Sequence, residues 1–319
     1  MSTPMTAVVV SHNTEHDLRA CLSALRDAGC EEVVVVDNAS SDGSARAVHE
    51  ELATARLIAN DENVGYGVAA NQGVAACSTE YVLLLNADAI PRPGALAALA
   101  RDLDAHPAAA LVGPRLDYAD GSRQPSCYPF LTPANVLLVM TGLNDALAPV
   151  RVLRRLRFET APDEERSVPW VKGAALALRR RAFEQVGGFD PSFFLYGEEL
   201  DLCYRLRRAG WDIRFTPAAA IVHHEGTSSE RRRAAIERRV YSSLVHFYRR
   251  HYSPLRLVAL RAALVIIMAA RIVRDDRRLR GVDDVAERRE LREQIDTWWA
   301  VLGRFDGREV ADGRGGQQS

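Results

Sequence analysis

Three carboxylates crowd into four positions at Glu198, Glu199 and Asp201, directly after an aromatic stretch holding Phe193, Phe194 and Tyr196. Acidic side chains favour the first turn of a helix through its dipole, which accounts for one or two of them. It does not account for a cluster behind an apolar loop, where burial and like-charge repulsion raise a carboxyl toward the range of a general base. On a helix, residues 198 and 201 share a face while 199 points elsewhere, so their duties should differ. Asp88 follows the apolar run Tyr81–Leu85. It suits either a helix cap ahead of Pro91 or a hard divalent cation bound to a diphosphate. His223 and His224 close a second apolar run, Ala218–Val222. An imidazole there is either structural or a further metal or diphosphate contact.

The elements that must position these groups alternate along the first half. Apolar runs at 6–11, 33–36, 56–59, 81–85 and 109–113 are separated by helical patterns near 15–28, 42–54, 66–76 and 93–104. Short apolar strands between helices predict a mainly parallel, doubly wound sheet covered on both faces. Ligands gather at the carboxyl ends of such strands, where Ser11-His12-Asn13, Asp37-Asn38 and Asn86-Ala87-Asp88 stand. Each of these alone is an ordinary cap or turn. Their recurrence at three strand ends, with Gly65, Gly67 and Asn71 between them, points to one site. The pattern weakens over 114–168, read as a long connection over that site. It resumes with a strand at Trp170–Leu178, a short helix at Arg180–Val186, and a helix from Glu198 to Gly210.

Composition narrows the classes. The 319 residues are 47% hydrophobic, so a sizeable core forms and disorder as the dominant state is excluded. Lys and Arg number 41 against 42 Asp and Glu, which gives no global basic excess for nucleic acid. Five Cys without a C-x-x-C spacing suggest neither a disulfide framework nor a zinc site, and a reducing cytosol fits. The first residues lack a basic region ahead of the apolar run, so the N-terminus reads as a strand rather than a secretory signal. The longest apolar run, Ala262–Ala270, is about half of the ~20 residues a spanning helix needs. No G-x-x-x-x-G-K-[ST] occurs and no G-x-G-x-x-G follows the first strand, which removes P-loop and dinucleotide-binding readings.

Eight pieces then occur in a familiar order: Val8–Asn13, Val35–Ser44, Asn63–Gly73, Leu84–Asp88, Val171–Ala174, Gly187–Asp190, Phe194–Arg205 and Val222-His223. Together they resemble family 2 glycosyltransferases of the A-type fold, in the bacterial rhamnosyltransferase-like branch, over about residues 6–229. The resemblance implies an A-type, Rossmann-like catalytic domain over 1–229 with a C-terminal helical extension. Ser11, Asn13, Asp37, Asn38, Asn63, Gly65, Asn71, Asn86, Asp88, Lys172 and Gly173 would then bind a nucleotide diphosphate-sugar. Asp88 and His223 would hold a divalent cation, Mg2+ or Mn2+. Glu199 falls on the position of the catalytic base and Glu198 on its partner, with either able to take the proton, and Tyr196 and Asp201 lie toward the acceptor. The implied reaction is an inverting, metal-dependent transfer to a glycan or lipid-linked saccharide, with L-rhamnose from dTDP-rhamnose the leading donor. Two competing readings are a degenerate homologue that binds a sugar nucleotide without turnover, and a nucleotidyltransferase. The latter normally wants a Gly-rich basic loop where Ser11-His-Asn-Thr-Glu15 stands here.

Residues 230–310 read as a basic, amphipathic helical extension and 311–319 as a disordered tail. Within 231–280 fourteen Arg face only Glu237, Asp275 and Asp276. Such a segment is a solvated helical pair, a face for anionic lipid, or a subunit contact in a homodimer. No nucleic-acid-binding motif accompanies it. A cytoplasmic protein, peripheral on the cytoplasmic face of the inner membrane, is the expectation.

Overall fold

A computed structural model describes residues 4–130, 132, 161–224 and 230–281, together with residues 288, 289, 291, 292, 295, 296 and 299. The Arg-rich stretch at 151–157, the tail at 311–319 and most of the connection between 131 and 160 lie outside them. The described residues fall into two compact units. One lies within Met1–Phe130, Glu159–Phe194 and Glu198–Gly226, the other within Leu131–Phe158, Leu195–Gly197 and Thr227–Ser319.

The first unit starts with β1 (Met5–Ser11), α1 (Glu15–Asp27), β2 (Glu32–Asn38), α2 (Ser44–Glu51), β3 (Arg56–Asn60), α3 (Tyr66–Ala75) and β4 (Tyr81–Asn86). A short β5 (Ala89–Pro91), α4 (Ala95–Ala105), β6 (Ala109–Asp117), β7 (Arg123–Gln124) and β8 (Cys127–Tyr128) follow. Then come β9 (Arg166–Ser167), β10 (Trp170–Val171), β11 (Ala175–Arg179), α5 (Arg180–Gln185), α6 (Glu198–Arg208) and β12 (Asp212–His223). The main sheet runs β3-β2-β1-β4-β11-β6-β12-β5. β1 to β4 are parallel neighbours and β6 pairs parallel with β12.

Alternation along the strands sends side chains to both faces. Ala7, Val9, Val33, Val35, Leu83 and Leu85 join Leu18, Leu22 and Leu25 of α1 and Leu99 and Leu103 of α4 in one buried cluster. On the other face α3 lies so close that a Cβ at Gly73 would meet Val8 and Val36. Both faces are therefore covered, as the near-continuous apolar strands require.

Three details differ from the sequence expectation. Trp170–Leu178 is not one strand: Lys172-Gly173-Ala174 breaks it, with the Lys172 N–H donating to Ser126 O at 2.9 Å and Ala174 O accepting from the Asn86 N–H at 3.0 Å. β11 runs antiparallel to both β4 and β6, a direction that an apolar run does not encode. The run at 218–222 is only the end of the twelve-residue β12, whose register shifts between Thr216 and Ala220.

The second unit contributes α7 (Glu230–His251) and α8 (Pro254–Leu279). Among the described residues no helix is long and apolar enough to cross a membrane.

Candidate active site

The carboxyl ends of β1, β2 and β4 carry polar side chains whose hydrogen bonds fix the surrounding loops. Asn38 is buried, and its Nδ2 donates to Asn63 Oδ1 at 2.8 Å while its Oδ1 accepts from the Val64 N–H at 3.1 Å. Asn63 Oδ1 also accepts from the Gly65 N–H at 3.0 Å, so a buried amide at the end of β2 sets the loop entering α3. Asp37 accepts from the Ser40 N–H at 3.2 Å and hydroxyl at 2.5 Å. Ser11 Oγ lies 2.8 Å from Thr14 Oγ1. Asn13, with a left-handed φ of 54°, accepts the Ser41 N–H at 2.7 Å. Asn71 makes a reciprocal pair with Phe189: its Nδ2 donates to Phe189 O and its Oδ1 accepts from the Phe189 N–H, both at 2.9 Å. Ser11, Asp37 and Asn38 close β1 and β2, and the polar side chains of this group are engaged in shaping the loops.

Gly65 joins this region to the aromatic loop before α6. The Tyr66 N–H donates to Phe194 O at 2.9 Å. A Cβ at Gly65, whose φ is +85°, would sit 2.6 Å from that same oxygen. Directly before α6, Tyr196 has a φ of 69° and Gly197 a φ of 87°. For a tyrosine this backbone carries a cost of about 1–3 kcal/mol, the kind of strain that accumulates at functional sites.

The two glutamates that open α6 have unlike surroundings. Glu198 is only 6% exposed and its Oε2 has no hydrogen-bond partner. It packs toward α3, where a Cβ at Gly67 would lie 3.1 Å from Phe189 Cβ and 3.8 Å from Glu198 Cβ. Burial first, and then the charge of Glu199, hold the Glu198 carboxyl well above the ordinary glutamate range, against a backbone hydrogen bond acting downward. Glu199 is half-buried and borders Gly173, where a Cβ would approach its Cγ to 3.4 Å. The strand break at 172–174 thus packs its glycine directly against Glu199. Asp201 is separated from this group. It is fully buried and ion-pairs with Arg205 at 2.6 Å, and Arg205 also donates to Val186 O at 2.6 Å, so the expected acceptor-facing carboxylate braces α6.

Asp88 and His223 meet through strand register. β5 pairs antiparallel with the end of β12, with His223 opposite Ala89, and the His224 N–H donates to Asp88 O at 2.9 Å. His223 Nε2 then lies 3.4 Å from Asp88 Oδ1, and its Nδ1 is 2.9 Å from Gln124 Oε1. Burial would raise the Asp88 carboxyl, but the hydrogen bond and charge of His223, a backbone hydrogen bond and the charge of His224 outweigh it and hold Asp88 below the ordinary range. Tyr66, the first residue of α3, feels the charge of both groups. Its hydroxyl is buried without a partner, and burial first, then the charges of Glu198, Glu199 and Asp88, push it above the ordinary tyrosine range.

The donor chemistry fits a divalent cation. With its Nδ1 held 2.9 Å from Gln124 Oε1, His223 turns its Nε2 toward the Asp88 carboxylate, an arrangement that a proton or a cation between them completes. Among the described residues no group of three or more His, Cys, Asp and Glu forms a protein cage. Two protein ligands, with substrate phosphate oxygens and water for the rest, suit Mg2+.

Gln124 and Tyr66 were not singled out by the sequence. Gln124 sits in a two-residue strand with no motif around it. Tyr66 lies inside the Gly65-Tyr-Gly67 segment, where the glycines drew the attention.

The profile of the family described as Glycosyl transferase family 2 matches residues 6–187. This chain belongs to that family. As a family 2 glycosyltransferase it is 33% identical, over 217 residues, to the N-acetylglucosaminyl-diphospho-decaprenol L-rhamnosyltransferase of Mycobacterium tuberculosis. That similarity covers 62% of this chain and 68% of the relative. A pre-mycofactocin glycosyltransferase of the same organism is 31% identical over 229 residues, covering 70% of this chain and 43% of that one. Among solved structures, a mannosyltransferase from Pyrobaculum calidifontis, in complex with GDP-Man and Mn2+, superposes with a TM-score of 0.54. At 18% identity it covers 96% of this chain and 86% of that one, which establishes the shared A-type fold. The family match ends before Glu198, Glu199 and His223, so their geometry carries its own weight.

Proposed function

We infer that this family 2 glycosyltransferase moves a sugar from a nucleotide diphosphate donor to a hydroxyl of a cell-envelope glycan or lipid-linked saccharide, with inversion. The single observation that carries this reading is the Asp88–His223 pair, 3.4 Å apart just past the carboxyl end of β4, where the strand-end rule places a ligand. The L-rhamnosyltransferase relative supports L-rhamnose as the sugar, and dTDP-rhamnose is the donor proposed for it.

Glu199 is the base, because it is the accessible carboxylate of the pair, while Glu198 is shut against α3 and its surroundings favour the protonated form. Glu199 takes the proton of the acceptor hydroxyl as that oxygen bonds to the anomeric carbon. The bond from that carbon to the diphosphate oxygen breaks, and the diphosphate leaves with the electron pair. Asp88 and His223 would hold the divalent cation, which when bound supplies positive charge against the departing diphosphate. Asp37, Asn38, Asn63, Gly65 and Asn71 form and support the nucleotide and sugar walls, Ser11, Asn13 and Asn86 border them at the strand ends, and Lys172 and Gly173 shape the floor beside Glu199. Tyr196 lies on the acceptor side.

Calorimetric titration with dTDP, UDP, GDP and their sugars, with and without Mn2+ or Mg2+, tests this. Metal-dependent binding of dTDP-rhamnose in preference to the others is expected. Binding of no nucleotide sugar under any metal condition would overturn the reading, and binding without transfer would leave the degenerate homologue.

A further inference from the structure

Helix α8 presents an apolar stripe that no described residue covers. Leu255 is 80% exposed, Ile266 68% and Val258 60%, with Val265 and Val273 also exposed. At 3.6 residues per turn these five fall within an arc of about 100° and along roughly 27 Å of helix. Isolated exposed apolar side chains are ordinary, but a continuous stripe of this kind marks a contact surface.

The charges beside it decide what it contacts. The helix carries Arg256, Arg261, Arg271 and Arg274 before its first acidic residue, Asp275. Asp275 is buried and pairs with Arg274 at 2.8 Å, and Asp276 pairs with Arg280 at 2.6 Å, so both acids of the helix are already engaged. Arg256 and Arg277 are exposed at its two ends. A second copy of α8 laid on the stripe would bring Arg256 and Arg277 of both copies to one contact, with the acids of each helix already paired to other Arg residues. An anionic lipid surface supplies the counter-charge and takes the apolar side chains into the headgroup boundary. A spanning role is not available to this helix, which is too interrupted by Arg to cross a bilayer.

We propose that α8 is an in-plane docking helix for an anionic phospholipid surface, with Leu255, Val258, Val265, Ile266 and Val273 inserted and the flanking Arg residues on the headgroups. The proposal stands on this helix alone and is independent of the transfer reading.

Sedimentation of the full chain with vesicles tests it, using phosphatidylcholine alone and phosphatidylcholine mixed with phosphatidylglycerol. Binding should require phosphatidylglycerol and weaken as salt is raised. The double substitution L255E/I266E, at exposed positions, should lower partitioning at least about ten-fold with the circular dichroism spectrum unchanged. Arg256→Gln and Arg277→Gln leave the stripe intact and should each lower partitioning about five-fold. No partitioning, partitioning that ignores these substitutions, or equal binding to both vesicle types would overturn the proposal. A concentration-dependent dimer dissolved by L255E/I266E, without vesicle binding, would overturn it in favour of a second copy.

Discussion

Gly65→Ala probes the contact between the donor-side loop and the loop that leads to the two glutamates. An alanine at φ +85° and ψ 162°, a region essentially reserved for glycine, carries a backbone cost of about 1–3 kcal/mol. Its Cβ would also sit 2.6 Å from Phe194 O, a backbone atom that has to move. Moving it breaks the 2.9 Å bond from the Tyr66 N–H, a further loss of about 0.5–1.5 kcal/mol. The sum, about 1.5–4.5 kcal/mol, corresponds to a fall in Tm of roughly 3–18 °C for a domain of this size. Gly29→Ala is the control for a positive-φ glycine without a close contact, because Gly29 has a φ of +70° and nothing within 4 Å of its Cβ position. It carries a backbone cost alone. Thermal unfolding followed by circular dichroism on both variants separates the two contributions. A Gly65→Ala protein no less stable than Gly29→Ala would refute the close approach of Phe194 and the tethering built on it.

Further outcomes concern the carboxylates and the cation. Because the folded state raises the Glu198 carboxyl, it holds a proton that the unfolded chain has released; stability therefore declines as pH rises above the ordinary glutamate range, by up to about 1.4 kcal/mol per pH unit, until the folded value is passed. Glu198→Gln should remove that slope in denaturant titrations run across pH, and an unchanged slope would place the titration elsewhere. Gln124→Leu takes away the acceptor that orients His223 and should weaken Mn2+ affinity, measured by calorimetry with dTDP present, about 10–100-fold. Parent affinity in that variant would remove His223 from the cation site.

Much of the sheet was legible because its strands are buried on both faces and so read as unbroken apolar runs between helices. The polar residues that close β1, β2 and β4 were legible for the same reason: Asn13, Asp37, Asn38 and Asp88 interrupt those runs abruptly. Direction was not. Nothing in Ala175–Arg179 distinguishes an antiparallel strand from a parallel one, since alternation depends on the side-chain period and not on the neighbour. The break at Lys172-Gly173-Ala174 was hidden because glycine beside alanine and leucine still reads as apolar, while the backbone partners that hold it, Ser126 and Asn86, are distant in sequence. The meeting of Asp88 with His223 depends on the register of the three-residue strand Ala89–Pro91, too short to carry a pattern. Asp201 was misplaced toward the acceptor although Arg205, four residues on, is its natural helical partner. The acidic cluster outweighed that local signal.

The central claim is that Glu199 accepts the proton from the attacking hydroxyl. Initial rates of sugar transfer by the Glu199→Gln protein, with donor affinity measured on the same sample, test it most directly. The account predicts a loss of at least about 100-fold in rate with donor affinity near that of the parent. Turnover comparable to the parent would contradict it and move the base to another group.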